Sequence, residues 1–292
     1  MKPVEKWILA ARPKTLLASV APVVVGTALA YGDEAHHWTA AIIALICSVL
    51  IQIGTNFAND YFDFKKGADT AEREGPLRVT QANLVSPGTM MWATVLVFGM
   101  ACVGGVYLVS RAGWPAVWIG LLCILSGILY TGGPYPLGYL GLGDLFVFIF
   151  FGPVAVGGTY YVQALSFNTT VLMAGFGPGL FITAILTVNN LRDIEVDRKA
   201  GKRTLAVRFG KTFTRWEFAL LIGMGIATPL IIYFSTGQHL SSLLALGVLA
   251  LARPTFKEVF GQAEGPALNP VLADTARLSL LYSVLFSVGW LL

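Results

Sequence analysis

Long apolar runs separated by polar breaks fill most of this chain. They lie at about 15–31, 40–57, 89–109, 114–131, 144–163, 171–190, 217–235, 240–252 and 275–292. A hydrocarbon core of ~30 Å needs ~20 such residues in a helix, because lipid offers no partner for an unpaired backbone amide or carbonyl. The pattern predicts an all-α fold: a polytopic membrane bundle of about nine transmembrane helices around a central cavity, with a cap on one side. The eighth run is short, so an eight-span layout that merges or drops it stays open. The whole chain, 1–292, reads as one transmembrane domain.

Composition agrees with that pattern. The chain is 55% hydrophobic and 12% charged, with a mean hydropathy of +0.70; soluble domains carry about 25% charge. A lipid bilayer is the expected surroundings and no nucleic acid is expected as a partner. The first residues, "MKPVEKWILAARPKT", show no signal-peptide cleavage pattern. Cys47, Cys102 and Cys123 all fall inside apolar runs without metal or redox spacing, and read as small core residues.

The basic residues orient the bundle. Under the nine-span layout, 19 of the 20 Lys and Arg fall on one face, with Arg111 alone on the other. The positive-inside rule makes the rich face cytoplasmic, which places the protein in the cell (inner or plasma) membrane. Two long polar loops, 58–88 and 191–216, lie on that face, and loops of such length usually carry function. They share a signature. "NDYFD" at 59–63 and "NNLRD" at 189–193 both read N-[ND]-x-x-D, which suggests two pseudo-repeat halves, roughly 1–140 and 141–292.

Spacing gives these motifs a chemistry. Asn59 and Asp63 are i and i+4, and Asn189, Asp193 and Asp197 continue at the same interval. On a helix such residues stack on one face. Gln52 and Asn56 extend the first stripe back into span two. Oxygen ligands without His or Cys suit a hard cation, Mg²⁺ above all, which is commonly held by one or two carboxylates plus substrate phosphates. With Arg78, Lys202, Arg203 and Arg208 nearby, the acids look like a cradle for Mg²⁺ and a diphosphate. The bland alternative is a solvated, salt-bridged loop.

"NDYFDFKKGADT" and "NNLRDIEVDRKAGKRTLAVRFG" resemble the two aspartate-rich motifs of UbiA-type intramembrane aromatic prenyltransferases. "ARPKTLLASVAPVVVGTALA", "GPLRVTQANLVSP" and "LYTGGPYPLGYLGLGDLFVFIFFGPVAVGGTYYVQ" resemble the 1,4-dihydroxy-2-naphthoate polyprenyltransferase branch, which serves menaquinone synthesis. The resemblance implies a cavity open sideways to lipid and Mg²⁺ bridging both motifs to a polyprenyl diphosphate. It further implies transfer of the prenyl group to the aromatic acceptor with loss of CO₂, giving demethylmenaquinone. Carried over, Asn59, Asp63, Asp193 and Asp197 are catalytic and metal-binding residues, joined at the metal by Asp60 and Asp69. The family often has an acid at the position of Gly67; here Asp69 comes two residues later. Lys202 and Arg203 fall to the diphosphate, and Arg78 to the diphosphate or the acceptor. Gln52, Asn56 and Tyr130 complete the substrate-binding set.

Relatives acting on hydroxybenzoate carry basic residues after span four, whereas "YTGGPYPLGYLGLG" has none. Tyr130, Thr131 and Tyr135 there are pocket candidates or parts of a tight turn. Another acceptor, such as 4-hydroxybenzoate, is the nearest alternative, and an ion-coupled transporter the alternative from a different class. A transporter would set its acids at the membrane midplane, and these cluster at one face. "GLGD" at 141–144 fits an intramembrane protease signature but lacks a second intramembrane aspartate.

Overall fold

A computed structural model describes residues 2–68, 75, 77–261 and 263–292. Among the described residues the regular structure is all helical, without a strand. In chain order the helices are α1 (Pro3–Ala11), α2 (Pro13–Gly32), α3 (Trp38–Lys65), α4 (Pro87–Ala112), α5 (Trp114–Leu129), α6 (Gly143–Ile149) and α7 (Ala155–Ala164). They continue as α8 (Thr169–Arg192), α9 (Ile194–Lys199), α10 (Leu205–Thr236), α11 (Val248–Phe260) and α12 (Asn269–Leu291). Side-chain caps close several starts. Ser86 accepts from Thr89 N at 3.2 Å, Asn168 from Val171 N at 2.9 Å and Thr204 from Val207 N at 3.3 Å, satisfying amides that a helix start leaves orphaned.

Seven helical segments are long and apolar enough to cross a membrane. The 16-residue Trp114–Leu129 is a shorter apolar helix beside them. The crossing expected at 240–252 is not a continuous span: Leu240–Gly247 is a 3₁₀ segment, followed by α11. The exact count of nine is thus not reproduced. The protein is a multi-pass membrane protein, and its lipid-facing sides are apolar, with Trp92, Val103 and Phe234 at 75%, 74% and 80% exposure.

One crossing is broken. Between α6 and α7 the residues Phe150–Val154 form a π segment in which Gly152 leaves helical geometry and Pro153 follows. The break lets backbones touch. A Cβ on Gly152 would lie 2.8 Å from Gly175 O, and one on Gly175 would lie 2.9 Å from Pro153 Cα. Small residues at such crossings permit close packing in lipid. Gly175→Val is therefore expected to destabilise the protein by ~3 kcal/mol or more. Thermal unfolding in detergent checks this, and an unchanged melt would show that the crossing is not tight.

The solid core belongs mainly to α2, α7, α8, α10 and α12, where Leu29, Val156, Phe181, Phe218, Ile222, Tyr282 and Phe286 pack together. The expected cavity is present within the bundle. It is walled by α2, α3, α4, α5 and the broken α6–α7 crossing. Pairing of α3 with α4 and of α2 with α7 and α12 places it to one side of the core.

Candidate active site

The cavity has a volume of about 540 Å³ and an almost wholly apolar lining, including Val23, Ile51, Ile119 and Phe150. On α5 its wall runs from Ala116 to Tyr130, about 20 Å along a helix at ~1.5 Å per residue. Gln52, Thr55 and Tyr130 line it at the end next to the first aspartate motif. Cys47, Cys102 and Cys123 also line it; only Cys47 is fully buried, so the three are wall residues more than core residues.

Helix α3 runs past its apolar stretch and carries Asn59, Asp60 and Asp63 on its last turns, all buried. Asp63 receives Arg78 Nη2 on one oxygen at 3.1 Å and Tyr139 Oη on the other at 2.8 Å. Thr131 Oγ1 donates to Asn59 Oδ1 at 2.8 Å. Asp60, also expected at the metal, meets backbone amides in this structure. Its oxygens accept from Val79 N at 3.2 Å and Thr80 N at 3.1 Å, in the 77–85 segment that returns to α3. It ties the 77–85 segment, and with it Arg78, to α3.

Asn56 is likewise engaged in structure, its amide donating to Ala11 O at 2.9 Å and Thr15 Oγ1 at 3.1 Å. Gln52 donates to Asn56 Oδ1 at 3.3 Å while facing the cavity. Asp69 lies outside the described residues.

The second motif straddles two helices. Asp193 sits between α8 and α9 rather than inside one helix, yet Asp193 N still bonds Asn189 O at 3.0 Å and Asp197 N bonds Asp193 O at 2.8 Å. The i, i+4 stacking survives the break. Arg192, which spacing alone did not single out, grips both oxygens of Asp193 at 2.7 and 2.6 Å. It also donates to Asn189 Oδ1 at 2.7 Å and to Asn269 Oδ1 of α12 at 2.9 Å. Lys202 Nζ lies 3.2 Å from Asp197 Oδ1. Burial pushes the Asp197 carboxyl above its usual range and Asp193 and Asp63 add to this, while Lys202 opposes them. Asp197 feels Asp63, so the two motifs share one electrostatic neighbourhood.

The loop 130–142 joins them. Tyr139 donates to Asp63 from its phenol, while its carbonyl accepts Arg203 N at 2.8 Å. Lys66 and Lys202 place their ammoniums 4.7 and 5.1 Å from its ring centroid. Arg208 fastens the loop to the second motif through Leu140 O at 2.7 Å and Arg203 O at 2.9 Å. The Arg203 side chain is exposed. Tyr135, a pocket candidate in the sequence, is 74% exposed and points away. Neither Lys66 nor Tyr139 had a legible spacing signal.

The donor set fits Mg²⁺. Asn59, Asp63, Asp193 and Asp197 offer only hard oxygen atoms, and each carboxylate is paired with a side-chain cation: Arg78, Arg192 or Lys202. Among the described residues no three of His, Cys, Asp and Glu form a metal cage by themselves. Mg²⁺ is ordinarily held by fewer carboxylates than that, with phosphates and waters completing the octahedron.

The sequence profile of the UbiA prenyltransferase family matches residues 19–262. A 1,4-dihydroxy-2-naphthoate octaprenyltransferase of Haemophilus influenzae is 36% identical, covering 98% of this chain and 96% of its own. The enzyme of that name in Escherichia coli is also 36% identical, over 98% and 94%. Human UbiA prenyltransferase domain-containing protein 1 is 31% identical, over 98% and 83%. Among solved structures, a UbiA homolog from Archaeoglobus fulgidus bound to GPP and Mg²⁺ superposes with a TM-score of 0.67 at 12% identity, covering 98% of this chain and 99% of that one. The apolar cavity with acids at its mouth, and the match across nearly the full chain, place this protein in the UbiA prenyltransferase family.

Proposed function

We propose that the protein transfers a polyprenyl group from a polyprenyl diphosphate to 1,4-dihydroxy-2-naphthoate, releasing CO₂ and diphosphate and giving demethylmenaquinone. The observation that carries this reading is the apolar cavity, about 540 Å³, whose Gln52–Tyr130 end adjoins the first acidic motif, which Tyr139 ties to the second. The names of the 36%-identical relatives favour the acceptor. The reaction runs at the cytoplasmic face of the plasma membrane, the face richest in Lys and Arg.

Asn59, Asp63, Asp193 and Asp197 would hold Mg²⁺, which supplies neutralising charge for the departing diphosphate. Arg78 and Lys202, paired with acids here, are freed to bind oxyanions once a cation takes over those acids. The prenyl tail lies along the apolar wall, which keeps water from the reacting allylic carbon. As the C–O bond to diphosphate breaks, that carbon bonds to the acceptor ring. The ring then regains its electrons from the bond to the leaving carboxyl group.

No basic residue lies in the 130–142 loop, so the acceptor's carboxylate needs a cation from elsewhere. Arg78, buried beside Asp63, is the residue chosen. The purified protein, offered equal dihydroxynaphthoate and hydroxybenzoate with one polyprenyl diphosphate, should prenylate the naphthoate at least ~10-fold faster. Arg78→Ala should raise acceptor KM about tenfold or more, the scale of one charged hydrogen bond. Preference for hydroxybenzoate would overturn the acceptor and leave the family intact.

A further inference from the structure

The active-site cavity is shorter than a long prenyl chain. The 36%-identical relatives are octaprenyltransferases by name. Four chain bonds of about 1.5 Å carry an extended isoprene unit forward about 5 Å, so eight units reach about 40 Å. The α5 wall from Tyr130 to Ala116 spans about 20 Å, and its far end is shut. Ala116 packs there with Ala40, Ala112 and Val162. Arg111 donates to Val162 O at 2.9 Å and Gln163 O at 2.8 Å, and Tyr161 Oη donates to Ala112 O at 3.2 Å. A long tail has to turn sideways before that floor.

A second apolar cavity, about 340 Å³, lies beside this end. Ile119, Val154 and Gly158 line both cavities, so a single layer of side chains separates them. Gly158 makes the partition thin: a Cβ there would lie 3.3 Å from Ile119 Cγ2. The neighbouring Gly157 faces the second cavity, where its Cβ would lie 2.9 Å from Phe167 Cε2. Pro153 of the broken crossing and Leu172 of α8 complete the wall. Phe167 and Leu172 are exposed, so the second cavity opens to the bilayer. It is a formed hollow, whereas the edge of the first cavity between α4 and α5, at Val106 and Leu121, faces lipid directly.

We infer that the second cavity is a distal subsite for the prenyl donor, taking the isoprene units beyond about the third, with Ile119 and Gly158 as the gate. The ligand's identity rests on the proposed function. Ile119 stands 11 residues before Tyr130, about 16 Å along α5 and thus the reach of about three units. A farnesyl chain ends at the gate and an octaprenyl chain passes it. Passage needs the Ile119 side chain to turn away from Gly158, a change of rotamer. The subsite thereby ranks donors by length.

The test uses octaprenyl and farnesyl diphosphates carrying a diazirine on the last isoprene unit, with Mg²⁺ and the full chain in lipid nanodiscs. On illumination the octaprenyl probe should label Phe167 or Leu172, and the farnesyl probe only residues of the first cavity. A phosphatidylcholine with a diazirine at its acyl end should lose any labelling of Leu172 when octaprenyl diphosphate is added. Lipid is as apolar as the subsite, so blocking acts through shape. Leu172→Trp, which fills the hollow from its lipid side, should lower the ratio of octaprenyl to farnesyl kcat/KM ~10-fold, the scale of overpacking. Gly158→Val should do the same from the gate. Octaprenyl label confined to Val106 or Leu121 would overturn the subsite, as would a ratio within about twofold of wild type in both variants. Phospholipid label that octaprenyl diphosphate does not displace would make the hollow a lipid groove and overturn it too. Octaprenyl label on Leu172 in a protein that prenylates no naphthoate would retain the subsite and remove the proposed acceptor.

Discussion

Replacing Asp63 or Asp193 by Asn is expected to lower turnover ~10²–10³-fold per folded molecule, the scale of losing one electrostatic stabiliser of developing charge. Both residues are buried and use both oxygens. Asp63 meets Arg78 and Tyr139, and Asp193 is gripped twice by Arg192. An amide keeps the volume and one acceptor oxygen but presents a donor to a guanidinium and has no net charge for a cation. Part of the arginine's bonding survives, so thermal stability should fall far less than turnover. Chelator should abolish the remaining activity and added Mg²⁺ restore it. Turnover within tenfold of wild type in both variants would mean that these acids serve the fold and not the chemistry.

Asp60→Ala is expected to act in the opposite order, on stability first. The variant deletes the acceptor of two backbone amides, Val79 N and Thr80 N, inside the protein. Bonds to a charged acceptor contribute ~1.5–3 kcal/mol each, so a loss of about 3–5 kcal/mol follows, a large share of a protein's margin. That should lower the melting temperature by about 10 °C. Activity should fall as well, because Asp60 fixes the segment that carries Arg78 to Asp63. A metal ligand would behave differently, with stability unchanged and turnover lost. Asp60→Ala that melts like wild type but is inactive would return Asp60 to the metal.

The bundle and the acids were legible because each has its own period. Apolar runs of bilayer length marked most crossings, and i, i+4 acids survived as a stack even where α8 ends at Asp193. What was not legible depends on contacts far apart in sequence. Asp60 differs from Asp63 by three positions, and only the return of the 77–85 segment to α3 decides which faces the site. Tyr139, 76 residues from Asp63, belongs to a glycine-rich turn whose composition suggests only a bend. The 3₁₀ segment Leu240–Gly247 has the hydropathy of a helix, so hydropathy could not tell the two apart. The polar stretch 205–216 is helical and extends α10 beyond its apolar run, with Gly210 at φ 82° inside it.

The most direct test of the account follows two labels through one reaction. Purified protein in nanodiscs receives Mg²⁺, a polyprenyl diphosphate and dihydroxynaphthoate carrying ¹⁴C in its carboxyl group, with a parallel sample labelled in the ring. The account predicts ring label in the lipid extract, carboxyl label in trapped CO₂, and neither in the presence of chelator. Carboxyl label retained in the prenylated lipid, or ring label that never enters it, would contradict decarboxylating prenyl transfer to this acceptor.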